Sequence, residues 1–279
     1  MRRVRFSDAL EGYIEDEAVR RRTSTGSPAH WMHQVLNQVQ HRPWPLPVAP
    51  WVMAQSWHDL LFAHWRIEAK LLRPQIPAAL SIDTFDGSAW IAVVPFRMSG
   101  VRPRFTPAVP GLAAFPELNV RTYVTAEEKP GVWFFSLDAA SAIAVAAARA
   151  TFHLPYFRAR MSCEERGAWI HYNSERTHRG APTAGLKAKY RPTGNIFEPA
   201  RGTLEHFLTE RYCLYAANSA GQVFRGEIHH PAWQLQVAEA EFTRDTMMEP
   251  AWLPNPSCKP LLHFSRRQDV VVWRPSIIV

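Results

Sequence analysis

Beyond Trp51 the apolar residues fall mainly in short alternating runs, and Gly, Pro and Asp mark the turns between them. Leu80 to Met98 alternates about Asp86-Gly87 and predicts the strand pair SIDTF and SAWIAVVPFRM. Asn119 to Thr125 and Val132 to Leu137 are rich in β-branched and aromatic residues and predict a hairpin across Lys129-Pro130-Gly131. Further strands are expected at Arg158 to Cys163, Ala168 to Asn173, Thr177 to Gly180, Tyr212 to Ala216, Val223 to His229, Leu235 to Phe242, Leu261 to Phe264 and Val270 to Trp273. Helical spacing is rarer. WHDLLFAHWRIEAKLL begins as a strand and continues as an amphipathic helix ended by Pro74 and Pro77. Ala139 to Thr151 is an alanine-rich helix with Asp138 as its cap, and Thr203 caps a second helix running to Tyr212. Many strands and few helices, without βαβ alternation, predict an α+β fold of mainly antiparallel β structure, a curled sheet or barrel with helices packed outside.

Residues 1 to 50 differ in character. A charged stretch, a Ser/Thr/Gly/Pro segment and a short helix from Ala29 to Gln40 lead into HRPWPLPVAP, so they are expected to form an arm and stiff linker before a domain spanning 51 to 279. The start lacks the apolar centre of a signal peptide, and no apolar run nears the roughly 20 residues that cross a bilayer. A cytoplasmic location without membrane contact is therefore expected. Cys163, Cys213 and Cys258 have neither metal-site nor disulfide spacing. The net charge of +7 comes mostly from arginines spread along the chain, unlike the concentrated stripe of a nucleic-acid module, so no nucleic-acid partner is expected.

Several ordered motifs carry a resemblance. WRIEAKLLRPQIPAALSID resembles the Tyr-Arg, Leu-Arg-x-x-x-Pro and Leu-x-Ile-Asp pieces of acetoacetate decarboxylases, and FPELN resembles their Tyr-Thr-Glu-Ser-Gly. Arg149 and Pro155 keep that family's Arg-to-Pro interval, but the lysine pair that follows is here Tyr156-Phe157. In those enzymes the first lysine forms a Schiff base and its neighbour lowers its pKa. A phenol and a phenyl ring do neither. LLFAHWRIE, DTFDGSAWIAVVPFRM, ELNVRTYV, FFSLDA, LPYFRARM, TERYCLY and IHHPAW together resemble the YqjF-like family of uncharacterised proteins, a branch of the same superfamily. That resemblance implies a barrel with an internal small-molecule pocket and transfers no reaction.

The resemblance places Glu117 and Arg66 at an active-site glutamate and arginine. Glu117 would act as acid or base with a pKa raised by burial, or else hold Arg121 or Arg149 in a buried ion pair. Arg66 would grip a carboxylate, or bridge Asp59 or Glu68 at the surface. Tyr156 either offers its phenol to a carbonyl or fills space. Asn119, Arg121 and Tyr123 share one face of a strand, which lines the pocket or meets solvent. Glu210, Arg211 and Tyr212 either serve a helix end, which their adjacent opposite charges favour, or add polar groups to the pocket. His229-His230 point to opposite faces and cannot readily share a metal ion. Lys187 and Lys189, in GLKAKYRP, read as an exposed edge or loop and as poor nucleophiles. The expected protein binds, and acts by acid–base chemistry on, a small carbonyl or carboxylate compound without Schiff base, metal or cofactor, alone or as a homo-oligomer. The competing expectation is a non-catalytic ligand-binding or scaffold protein.

Overall fold

Residues 57 to 67 form a single strand. In the computed structural model, which describes residues 34–109, 113–256 and 258–278, β1 runs Met53–Ile67 and only Ala69–Leu72 (α1) is helical. Leu60 to Trp65 are all buried, so the apolar run fits a helical pattern while belonging to a strand covered on both faces.

β2 (Ser81–Ile82), β3 (Ala89–Pro103), β4 (Phe115–Ala126) and β5 (Lys129–Ala139) follow, then α2 (Ala142–Phe152), β6 (Tyr156–Arg166), β7 (Trp169–Arg176) and β8 (Gly185–Phe197). α3 (Leu204–Thr209), β9 (Cys213–Ala217), β10 (Val223–His229), β11 (Leu235–Asp245), β12 (Leu261–Val272) and β13 (Ser276–Ile277) complete the order. All belong to one sheet, ordered β13-β10-β9-β5-β6-β7-β8-β11-β12-β1-β3-β4-β2. Neighbours are antiparallel except β5–β6 and β5–β9. Two additional pairings, β4–β5 and β10–β12, bring the hydrogen-bond ladder back on itself. One circuit passes through β1, β3, β4, β5, β9, β10 and β12, and the other returns from β5 through β6, β7, β8 and β11.

β1, β3 and β4 belong to both circuits, and side-chain alternation gives each of their faces a different role. Leu61, Ala63, Ile91, Val93, Leu118 and Val120 join Tyr172, Leu186 and Tyr190 in a filled core. Leu60, Phe62, Ala92, Val94, Phe96 and Phe115 face the other way, with Leu137, Val145 and Tyr156. Two irregularities keep apolar residues on that second face. The β1–β3 register shifts between His58 and Ala63, where Asp59 has φ 54°, and again between Ala54 and Ser56, opposite Gly100 with φ 62°. Each inserted residue reverses the alternation, so Met53, Gln55 and Trp57 share a face with Leu60, and Val101 and Pro103 with Val94, Phe96 and Met98. Asp59 is fixed by Arg97 Nε at 2.8 Å, by Arg266 Nη1 at 2.7 Å, and through its carbonyl by Tyr190 Oη at 2.8 Å.

Several sequence expectations shift. The hairpin turn is Glu127-Glu128, both left-handed, with Ala126 paired to Lys129. Lys129-Pro130-Gly131 already lies in β5, where a Cβ on Gly131 would sit 2.6 Å from the carbonyl oxygen of Cys213 in parallel β9. Asp138 is not the cap of α2; Ser141 is, accepting from the Ala144 amide. Thr203 caps α3 as expected. GLKAKYRP is the inner part of β8, paired on both sides, and the two C-terminal strand segments are one strand. Thr177 to Gly180 is a connection rather than a strand.

The expected arm boundary near residue 50 also moves. The compact sheet unit begins at Val39, separate from a unit ending at Gln38. Within it, Arg42 donates to the Ile228 carbonyl at 2.7 Å and to Glu227 at 3.3 Å, while Trp44 Nε1 reaches Glu227 at 2.8 Å. Of the predicted helix at Ala29 to Gln40, residues 29–33 lie outside the described residues, 34–37 are helical and 38–40 are not.

Two outcomes follow from this packing. Asp138 and Arg176 form a wholly buried forked ion pair, shortest at 2.7 Å, with side chains 0% and 1% exposed. Arg176→Leu leaves that carboxylate unpaired and should cost about 3–5 kcal/mol in chemical denaturation. A chain starting at Val39 should melt close to the full-length protein, whereas one starting at Ala49 loses the Arg42 and Trp44 bonds and should be less stable by about 2 kcal/mol or more.

Candidate functional site

Four alternate residues of β4, Phe115, Glu117, Asn119 and Arg121, point away from the filled core into a cavity of about 570 Å³. β1, β3 and β5 supply mostly apolar walls, among them Trp57, Phe96, Phe134 and Leu137, and one face of α2 lies along the opening. Trp233, beyond β10, stacks near Trp57 with ring centres 6.2 Å apart. The expected polar strand face therefore lines the pocket as far as Arg121.

Glu117 is 2% exposed. Its Oε2 accepts a hydrogen bond from Tyr156 Oη at 2.9 Å, and its main-chain oxygen accepts one from Tyr172 Oη at 2.6 Å. Neither Arg121 nor Arg149 pairs with it; Arg149 Nη1 instead donates to the Tyr156 carbonyl at 2.9 Å and fixes the start of β6. Burial pushes the Glu117 carboxyl up to about 8, the Tyr156 hydrogen bond draws it partly back, and nearby Asp138 raises it. Burial and the adjacent Glu117 raise the Tyr156 phenol well above its ordinary value. The pair is thus a neutral acid and a neutral phenol near pH 7. With Oε2 engaged, Oε1 is the carboxyl atom available to a ligand.

Arg121 is the cation of this face. Its guanidinium lies 5.3 Å from the Phe62 ring centre and 5.9 Å from that of Tyr123, and Nη2 makes one long bond, 3.4 Å, to the Leu208 carbonyl. It forms no ion pair among the described residues, and its Nε, like Oδ1 of Asn119, is buried without a hydrogen-bond partner. Tyr123 lies past the end of the cavity, packed with Trp90, Val132 and Leu208. Its hydroxyl donates to the Leu208 carbonyl at 2.8 Å, and the contact with His64 Nε2 at 2.6 Å fits a neutral imidazole donating to it. Burial lowers the His64 pKa well below its ordinary value, in keeping with that form.

Arg66 is not part of the site. It is exposed at the end of β1, stacked 5.3 Å over Trp90, and bridges neither Asp59 nor Glu68. Asp59 is taken by Arg97 and Arg266, and Glu68 by Lys70. Arg211 does line the cavity, but Asp83 holds it at 2.6 Å and it ties back to the Phe207 carbonyl at 2.7 Å, so its helix-end role stands. Trp57, Trp233, Gln55 and His230 also line the cavity. Aromatic content alone did not single out the two tryptophans, because Trp233, in the β10–β11 connection, meets Trp57 only when β1, β10 and β11 all pair with β12. His230 is pushed down to about 4 by burial, stacks on Tyr212 at 4.6 Å, and has its ring nitrogens against the carbonyls of Pro231 and Arg211. Among the described residues no three His, Cys, Asp or Glu side chains gather to hold a metal ion. None of the five lysines lines the cavity; Lys189 pairs with Glu241 on the other limb of the sheet.

The raised Glu117 carboxyl has a direct thermodynamic signature. Its folded value near 8 exceeds the ordinary 4.5, so the stability it permits is complete below about pH 4.5 and is lost as pH climbs toward 8. Glu117→Gln keeps an acceptor for Tyr156 and cannot ionise. The variant should therefore gain on the parent between pH 5 and pH 8, by an amount on the order of a few kcal/mol, when melting temperatures are compared across that range.

Residues 54–269 match the model of the DUF2071 family, described as an uncharacterized conserved protein. The Uncharacterized protein YqjF of Bacillus subtilis (strain 168) is 44% identical over 228 residues, which span 82% of this chain and 93% of that one. Among solved structures, the enduracididine biosynthesis enzyme MppR complexed with pyruvate is similar at a TM-score of 0.58 and 9% identity, over 85% of this chain and 93% of MppR. The acetoacetate decarboxylase of Legionella pneumophila is similar at a TM-score of 0.57 and 11% identity, over 88% and 95% of the two chains. At such identities these structures establish a shared fold alone. No helix among the described residues is long and apolar enough to cross a membrane. With its curled, mainly antiparallel sheet of acetoacetate decarboxylase-like fold and a family match over most of its length, the chain belongs to the DUF2071 family of uncharacterized conserved proteins.

Proposed function

We propose that this protein binds a small carbonyl or carboxylate compound in the β4 cavity and moves a proton on it, with Arg121 as the anion anchor and Glu117 as the acid or base. One observation carries the reading: Glu117 and Arg121 occupy one face of one strand and open on one cavity, an acid that holds its proton and, four residues further along, a cation with no ion pair among the described residues. A buried arginine without a counter-ion is costly, and a ligand carboxylate matches its fork. A carboxyl tuned toward neutrality suits proton transfer next to a carbonyl. Tyr156, whose hydrogen is committed to Oε2, serves as a positioning residue that aims Oε1. The pyruvate in the MppR complex, an oxo acid, agrees with this ligand class. Arg66, exposed and outside the cavity, takes no role.

The chemistry proceeds without a Schiff base, because Tyr156 and Phe157 stand where the lysine pair would be and the five lysines lie elsewhere. Incubation with pyruvate or acetoacetate and borohydride should leave the protein mass unchanged; an adduct on any lysine defeats the assignment. In deuterated water the wild type should speed exchange of the protons next to the carbonyl of a bound oxo acid. Glu117→Gln should slow that exchange by about a hundredfold or more with binding retained, while Arg121→Met should weaken binding of acids and spare uncharged ketones. Binding without exchange in the wild type would favour a non-catalytic binder.

A further inference from the structure

We infer that the ligand of this cavity is an elongated, mostly apolar acid, a medium-chain or aryl oxo acid, and not a compound of pyruvate size. The inference rests on the acid-binding reading above and adds the size and character of the remainder of the molecule. Three observations carry it.

The first is volume. About 570 Å³ is room for roughly twenty water-sized pieces and lies within the range of about 300–1,000 Å³ that encloses drug-sized ligands. The second is spacing. Glu117 and Arg121 are four residues apart, about 13 Å along an extended strand, with the Asn119 level between them. An acid that rests on Arg121 and also presents atoms to Glu117 must have some length. The third is the distribution of polarity. Two unpaired polar atoms, Asn119 Oδ1 and Arg121 Nε, belong to β4 and two more are the indole nitrogens of Trp57 and Trp233. Gln55, His230 and a few others add polar groups, but most of the wall is aromatic or aliphatic, from Phe96 and Phe134 to the α2 face carrying Ile143, Ala144 and Ala148. Along that helix three of the six lining residues are alanines, and Ile143, 63% exposed, stands at the opening. Small side chains there leave space that a tail would fill, and filling it removes apolar surface from water on both partners.

The test titrates the full-length protein calorimetrically with 2-oxo acids from pyruvate through 2-oxohexanoate to 2-oxodecanoate, with phenylpyruvate, and with the alkyl methyl ketones of matching chain. Affinity for the acids should rise roughly three- to fourfold per added methylene until the cavity is full. Ala148→Phe, on a half-buried helix position, should weaken 2-oxodecanoate about tenfold and leave pyruvate unchanged; a melting curve checks that it folds. Affinity that is flat with chain length, or highest for pyruvate, overturns the tail while sparing the acid site. Chain-length dependence shared equally by acids and ketones, and unaffected by Arg121→Met, supports the tail and removes the acid anchor. Failure of every compound to bind overturns both.

Discussion

A strand covered on both faces must satisfy two sets of packing partners with a single alternating pattern, and β1, β3 and β4 carry that constraint for the whole sheet. One face closes the filled core around Tyr172 and Tyr190; the other walls the cavity. Every apolar residue moved from one side to the other would leave a hole behind and a clash ahead. The bulges at Asp59 and Gly100 make the arrangement possible by reversing the alternation where the two faces would otherwise exchange. A left-handed aspartate is tolerated there because two arginines and a tyrosine hold it.

The same double burial sets the chemistry. Glu117 lies where solvent cannot stabilise its charge, and the group in reach is a phenol rather than a guanidinium, so the carboxyl holds its proton to a higher pH. Asp138, the residue after Leu137 on the neighbouring strand β5, is also raised by burial, but a buried arginine forks onto it and it serves the fold. Two carboxyls in one buried neighbourhood thus differ through their partners. Arg121 lies further along the same strand face, a cation stacked on aromatic rings with no ion pair among the described residues.

Much of the fold was legible in the chain. Period-two runs located β3, β4, β5, β9 and β10, and Thr203 marked the start of α3. The failures share a cause. WHDLLFAHWRIEAKLL passes from strand to helix in the expected order, but the strand runs on to Ile67 and leaves one helical turn because a strand buried on both faces loses its alternation. GLKAKYRP looked exposed because its lysines extend outward from a strand paired on both sides. At the site, Glu117, Tyr156, Asn119 and Arg121 were visible as residues, and the structure adds that they face one space. Arg66 shows the limit of motif spacing: its interval to the following proline matched, but the strand carries it past the cavity.

The sequence by itself determined the mainly antiparallel class, the absence of a lysine after Pro155, and the polar alternation from Glu117 to Tyr123, because turn chemistry, residue identity and strand period are local properties. Tertiary structure decided which face of β4 is inside, that Glu117 meets Tyr156 and not an arginine, that Arg121 has no carboxylate among the described residues, and that Trp57 and Trp233 come to the same wall. Those outcomes depend on the register of strands far apart in the chain and on two single-residue bulges. A shift of one residue in either would exchange the faces, and no local pattern encodes which of two alternating faces the distant strands will cover.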